Sequence, residues 1–489
     1  MKKLPGICRA RHLCRLPFLC YAAVLAACLM PPDENLGKNT ERFWAVDFTK
    51  QAGDPRYFYK ISAQQLWTGE KCIIYAQNGS GVSKEKAREF ADDYDNNIYG
   101  LMAEHFCEKD FDVENNGDIT HYENTLEYAN SLTGSDKLII LLMDIRDGYK
   151  PGGGYVAGYF SPNNFYSNST SNYKTMIYVD TYPGMKKEDQ MFETFAHELQ
   201  HLVNYVTSMR KRGRLQMDTW INEGLSMMAE YLYRNEPLEN RIKWYIDDEN
   251  KTIAQGNNFY IWDNYEDTPN SVLDDYATAY MFFHWLYLQA DNDDGLLRNI
   301  AFSDRVDYRA VTENAGLIIP GGGDWETLLK SWLAANYIND PESQYGYRGE
   351  SAFSDIKAHA IETDDNTAPL FPGEGVYSNI DSSWTLPANG SGANIRYAGL
   401  QKAPPGILQT QTDGMSFKGD ILLTYNKNTS GETLENGFLT GEPAPAASIT
   451  RFTADTPCLL RLDAQDIMRR NNRMLQNMPL KNKIINIKK

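Results

Sequence analysis

Along residues 56–233 the spacing of apolar positions alternates between strand and helix periods. "RYFYKISAQQLW" (56–67) and "KCIIYAQ" (71–77) alternate or run apolar over strand length around a "TGE" turn, which predicts two neighbouring strands. "SKEKAREFADDYDNNIYGLMAEHFC" (83–107) then takes up helical spacing, with Ser83 placed to cap it. "KLIILLMDI" (137–145) is an unbroken apolar run, which predicts a buried strand. "GYVAGYF" (154–160) reads as a glycine-broken edge strand and "KTMIYVD" (174–180) as a further strand. Two helices follow. In "FETFAHELQHLVNYV" (192–206) the stripe is Phe192, Phe195, Leu199, Leu202, Val203 and Val206. In "DTWINEGLSMMAEYLY" (218–233) it is Trp220, Ile221, Leu225, Met228, Ala229 and Leu232, with Asp218 or Thr219 as the N-cap. The basic, glycine-containing "SMRKRGRLQMD" between them suits a turn joining antiparallel helices.

Chemistry enters with the first of these helices. His197 and His201 stand four apart, so both imidazoles reach one side of the helix and can share an ion, with Glu198 beside them. The chain has only seven histidines, which makes the pairing informative, although an exposed polar helix face has the same spacing. Catalytic zinc takes three protein ligands and keeps a position for water. The places where a metzincin carries its glycine and third histidine hold Asn204 and Thr207, which excludes that type. A glutamate on the second helix is the alternative. Glu223 and Glu230 share one side of it, and antiparallel packing brings Glu223 opposite the histidines.

"HELQH" followed by "WINEGLSMMAE" resembles the gluzincin metallopeptidases, and most of all the hyicolysin-like family, with weaker likeness over about residues 40–345. The resemblance implies an α+β, zincin-like catalytic domain: a mixed sheet, then a helical part with two zinc-ligand helices. It implies zinc on His197, His201 and Glu223, Glu198 as general base, and Glu230 orienting a ligand. An oxyanion donor is expected in "VLDDYATAYMFFHWLYLQ" (272–289), where Tyr276, Tyr280 and His284 share a face. Tyr276 matches the tyrosine of the aminopeptidase branch best, and all three residues also suit an amphipathic core. The expected activity is a zinc-dependent peptidase, an endopeptidase cutting extracytoplasmic proteins, with "GYVAGYF" docking an extended substrate. "NEG" also occurs in aminopeptidases, but "PGGGYVAGYF" has their glycines without their glutamate. A non-catalytic surface-binding lipoprotein is the reading from outside enzymology.

The flanks add the setting. Residues 1–27 carry five basic residues and an apolar run, Leu16 to Ala27, too short to span a bilayer. The run closes on "LAAC", so it resembles a bacterial lipoprotein signal, with Cys28 the lipidated residue and palmitate among its acyl chains. The expected location is the cell envelope, extracytoplasmic, with membrane contact through that anchor. No later stretch predicts a transmembrane helix. Without 1–27 the formal charge moves from −17 to −22, which disfavours nucleic acid as a partner. Beyond Cys28, Cys72 and Cys107 could pair and Cys458 is left over. "DVENNGDITHYE" (112–123) fits an EF-hand calcium loop, or a solvated turn around "ENNG". The domain layout read from these patterns is a linker at 28–42, a zincin domain at 43–345, a β-rich accessory domain at 350–466 resembling a small sandwich, and a basic tail at 467–489.

Overall fold

The computed structural model describes residues 39–50, 53–151, 154–186, 188–248, 271–358, 372–379, 394–410 and 419–429. It also describes short pieces at 253–254, 256, 259–260, 360–362, 367–370, 435–438 and 459–462. Cys28, Cys458 and the tail 467–489 lie outside these residues.

The chain begins with a meander of three strands, β1 (Thr40–Val46), β2 (Phe58–Thr68) and β3 (Cys72–Gln77). Thr40, Glu41 and Arg42, expected in a linker, pair with Gln64, Ala63 and Ser62 and are part of the sheet. Helix α1 (Lys84–Asp93) starts where Ser83 Oγ accepts the Lys86 N–H. It continues through a π-helical turn, Tyr94–Ile98, into α2 (Tyr99–His105). A two-stranded hairpin follows, β4 (Lys109–Asn115) and β5 (Asp118–Asn124), and then α3 (Thr125–Thr133). The hairpin corrects the calcium-loop expectation. Asn116 and Gly117 both have positive φ, so the chain turns back on itself and sets Asp112 opposite His121 and Glu114 opposite Ile119. Alternate residues of a strand lie about 6.7 Å apart, whereas the ligands of one calcium ion must close around it.

Three further strands, β6 (Leu138–Met143), β7 (Tyr155–Phe160) and β8 (Met176–Asp180), complete the wall that carries the site. With β16 (Leu459–Leu462) they form a seven-stranded sheet in the order β1-β2-β3-β6-β8-β7-β16. β6 lies between parallel neighbours β3 and β8, and every one of its residues is buried. That is why its sequence is a continuous apolar run. Leu138, Ile140 and Leu142 join the core on the helical side, while Ile139, Leu141 and Met143 join a separate cluster on the other face. Only β7 and β16 follow β8, with β7 antiparallel to it.

The helical half comprises α4 (Glu188–Lys211), α5 (Thr219–Arg234), α6 (Glu239–Asp247), α7 (Ser271–Gln289), α8 (Asp294–Phe302), α9 (Tyr308–Ala315) and α10 (Trp325–Ile338). Beyond it lie β9 (Ala360–Glu362), β10 (Thr367–Leu370), β11 (Gly375–Asn379), β12 (Ile395–Lys402), β13 (Pro405–Thr410), β14 (Ile421–Asn426) and β15 (Glu435–Phe438). Five of these make a sheet, β13-β12-β14-β11-β9, and β10 pairs with β15. The five-stranded sheet packs on α10. Tyr377, Leu400, Leu423 and Tyr425 belong to the same buried cluster as the helices, and Tyr377 donates to the Leu333 carbonyl at 2.7 Å. Cys72 and Cys107 are buried free thiols in that cluster, and burial pushes the Cys107 thiol up to about 12. Among the described residues no helix is long and apolar enough to cross a membrane.

Asp180 ends β8 and ties it to the loops that follow β6 and β8. Its carboxylate accepts the N–H groups of Ile145 and Gly184, each at 3.0 Å. Burial nevertheless pushes its pKa from 3.8 to about 7. Because the folded pKa is raised, the contribution of Asp180 is fully present below about pH 4 and is lost as pH rises through 7. At about 1.4 kcal/mol per pH unit between the two pKa values, wild type should lose roughly 2–3 kcal/mol against Asp180→Asn between pH 5 and pH 8. Urea unfolding of both proteins at the two pH values tests this; a constant difference between them contradicts the assignment.

Candidate metal centre

Helices α4 and α5 run antiparallel and meet along their apolar stripes. Phe195, Leu199, Leu202, Val203 and Val206 on one, and Ile221, Leu225, Met228 and Ala229 on the other, are completely buried. At the middle of this contact the facing positions are polar. His197, Glu198, His201 and Glu223 are each 0% exposed, which rules out the exposed polar face that the spacing alone allowed. The N-cap of α5 is Asp218, whose N–H donates to the Val306 carbonyl at 2.7 Å. The connection before it is more than a solvated basic turn. Arg212 is buried, and its guanidinium donates to Ser303 O (2.7 Å), Asn204 Oδ1 (2.8 Å) and Ser208 Oγ (3.0 Å). Asn204 in turn donates to Asn222 Oδ1, one turn from His201.

Three side chains converge. Among the described residues only His197, His201 and Glu223 bring three metal-ligating atoms together, all within 4.8 Å of one another. His197 Nε2 and His201 Nε2 lie 3.3 and 3.7 Å from Glu223 Oε2. Two ligands each about 2.1 Å from one tetrahedral zinc are roughly 3.4 Å apart, so the spacing fits that ion.

The other nitrogen of each ring is held from α5. His197 Nδ1 lies 2.6 Å from Glu230 Oε1. His201 Nδ1 lies 3.0 Å from Ser226 Oγ, and that hydroxyl donates to Gln200 Oε1 at 2.6 Å. With its proton spent on Gln200, Ser226 can only accept, so His201 carries its proton on Nδ1. The Glu230 carboxylate imposes the same tautomer on His197. Both Nε2 atoms therefore present lone pairs toward Glu223, as metal-bound imidazoles require. Glu230 was expected from the sequence. Ser226 and Gln200 were not, because a helical serine and glutamine carry no signal of their own.

β7 forms the wall beside Glu198. A Cβ on Gly158 would lie 2.6 Å from Thr194 Cγ2 and 3.1 Å from Glu198 Cγ, so only glycine lets the strand approach α4 this closely. The glycine that marked "GYVAGYF" as broken is thus the point of contact with the site. On the far side of α5, Gly224 abuts the Phe283 ring and brings α7 equally near.

The three α7 candidates separate. Tyr280 accepts the Leu238 N–H at 2.8 Å and lies 3.0 Å from His284 Nδ1, while His284 Nε2 faces Glu350 at 3.1 Å. That chain ties α7 to the start of α6 and to the segment before Ser351. Burial lowers the His284 pKa despite Glu350. Tyr276 is fully buried, with the Arg241 guanidinium 4.8 Å above its ring.

No family model matches the chain. Over 263 residues it is 31% identical to the neutral metalloprotease ShpI of Staphylococcus hyicus. The likeness is to a metalloprotease. The match covers 52% of this chain and 54% of that protein, so the chain spans about half the length of the curated relative it matches. The His197–His201–Glu223 cluster is compatible with zinc.

Replacing Glu230 by Gln keeps an acceptor for His197 but removes its charge. Zinc affinity, measured by competition with a chromophoric chelator, should fall about tenfold while the circular dichroism spectrum is kept. Unchanged affinity contradicts the orienting role.

Proposed function

We propose that this protein is a zinc-dependent endopeptidase of the gluzincin type, similar to the hyicolysin-like enzymes. The observation that carries this reading is the convergence of His197 Nε2, His201 Nε2 and Glu223, with both Nδ1 atoms held, next to Glu198. Burying Glu198, Glu223 and Glu230 together is costly unless positive charge accompanies them, and a divalent ion on this cluster supplies it. Bound zinc would activate a water and polarise the scissile carbonyl.

The chain's own residues then divide the work. Glu198 takes the proton of the attacking water and returns it to the leaving amine. Glu230 and Ser226 keep the imidazoles in the ligating tautomer. Tyr276, which matches the tyrosine of the aminopeptidase branch best, is the proposed donor to the oxyanion. The proposed setting is the bacterial cell envelope, extracytoplasmic, on a lipid anchor at Cys28, with protein or peptide substrates.

The test compares wild type with Glu198→Gln on quenched casein, with bound metal quantified in both. The expected result is cleavage by wild type that a zinc chelator abolishes, and a loss of at least about 10²-fold in the variant, in line with removal of a general base, at about one zinc per chain. Cleavage that persists in the variant, or zinc with no cleavage in wild type, refutes the reading. Tyr276→Phe should lower kcat more than it raises KM, as expected for a group that acts in the transition state.

A further inference from the structure

β7 has two edges, and both are taken. Its inner edge pairs with β8 through Gly158–Val179, Tyr159–Tyr178 and Phe160–Ile177. Its outer edge pairs in parallel with β16, with Leu459 against Tyr155, Leu460 against Val156 and Leu462 against Tyr159. The register slips between Leu460 and Leu462, opposite the stretch that contains Gly158. Gly158 is the residue of β7 that packs against Glu198.

A strand edge offers one row of N–H and C=O groups and can pair with one partner at a time. An extended peptide that reaches Glu198 by adding to β7 therefore has to take the place of residues 459–462. Their hold is weak by construction: the strand is four residues long, its pairing is parallel, and its register is broken.

We propose that β16 is a built-in competitor for the β7 edge, and that residues 459–462 must leave before an extended peptide can add to the sheet beside Glu198. This rests on the peptidase reading above. It makes the C-terminal strand a restraint on the site, released when a substrate binds strongly enough to displace it or when the segment is cut or captured elsewhere.

The experiment uses the full chain carrying Glu198→Gln, so that bound peptide is not cleaved. To this we add Leu460→Pro with Leu462→Pro, which removes strand donors, and in a second variant Leu460→Asp with Leu462→Asp. Hydrogen exchange of the amides of residues 155–160 should quicken at least tenfold in both variants. Fluorescein-labelled β-casein should bind five- to tenfold more tightly. A synthetic peptide of residues 456–465 added to either variant should restore protection and displace the casein.

Unchanged exchange at 155–160 overturns the proposal, as does faster exchange with no gain in casein binding. The peptidase reading is checked apart from this, by casein cleavage in the chain with Glu198 intact. Cleavage together with unchanged exchange overturns the competitor alone. Faster exchange with no cleavage supports occupancy of the edge and overturns the peptidase reading.

Discussion

An imidazole can serve an ion only when its ring is turned the right way and its free lone pair lies on the right nitrogen. In water neither condition is fixed. Here both are set by groups on the neighbouring helix, Glu230 for His197 and Ser226 for His201. These contacts exist because α4 and α5 pack antiparallel, so that Glu230 meets His197, Ser226 meets His201 and Asn222 meets Asn204. A small rotation of α5 would move both anchors and Glu223 together, and one of α4 would move both imidazoles, so the ligand set and its orientation depend on one packing interface.

That interface is fixed from three directions. Gly158 admits β7 against Glu198, and Gly224 admits α7 against the back of α5. The buried guanidinium of Arg212 clamps the connection to the carbonyl of Ser303, beyond the end of α8, and to Asn204 inside α4. Removing a polar cluster from water is unfavourable in itself. The surrounding apolar contacts over-determine where the helices lie and so hold that cluster in place.

Much of this was legible in the chain. The four-residue spacing of His197 and His201 gave the shared face, and the period of the second helix placed Glu223 opposite. The strands β2, β3, β6, β7 and β8 follow from alternating or continuous apolar runs. What escaped depends on partners distant in sequence. Asp112, Glu114 and Asp118 satisfy a calcium-loop pattern, but Asn116–Gly117 is also the strongest short hairpin signal, and the exposed face of a hairpin tolerates the same acids. β1 lacks a clean alternation and is defined by pairing to β2. β16 pairs with a strand some 300 residues earlier, a contact that no local period encodes. Arg212 looks like any basic loop residue until the carbonyl at Ser303 is known to lie above it.

The C-terminal sheet carries a consequence for the making of the protein. Its inner residues Tyr377, Leu400, Leu423 and Tyr425 complete the apolar cover of α10, and Glu326 on that helix holds Lys427 at 2.6 Å. In chain order the end of α10 precedes the end of β14 by about 90 residues. A chain that emerges N-terminus first, from a ribosome or from a membrane pore, therefore holds both histidines, Glu198 and Glu223 while one wall of its core is still uncovered. Apolar surface left open at that stage is prone to aggregation.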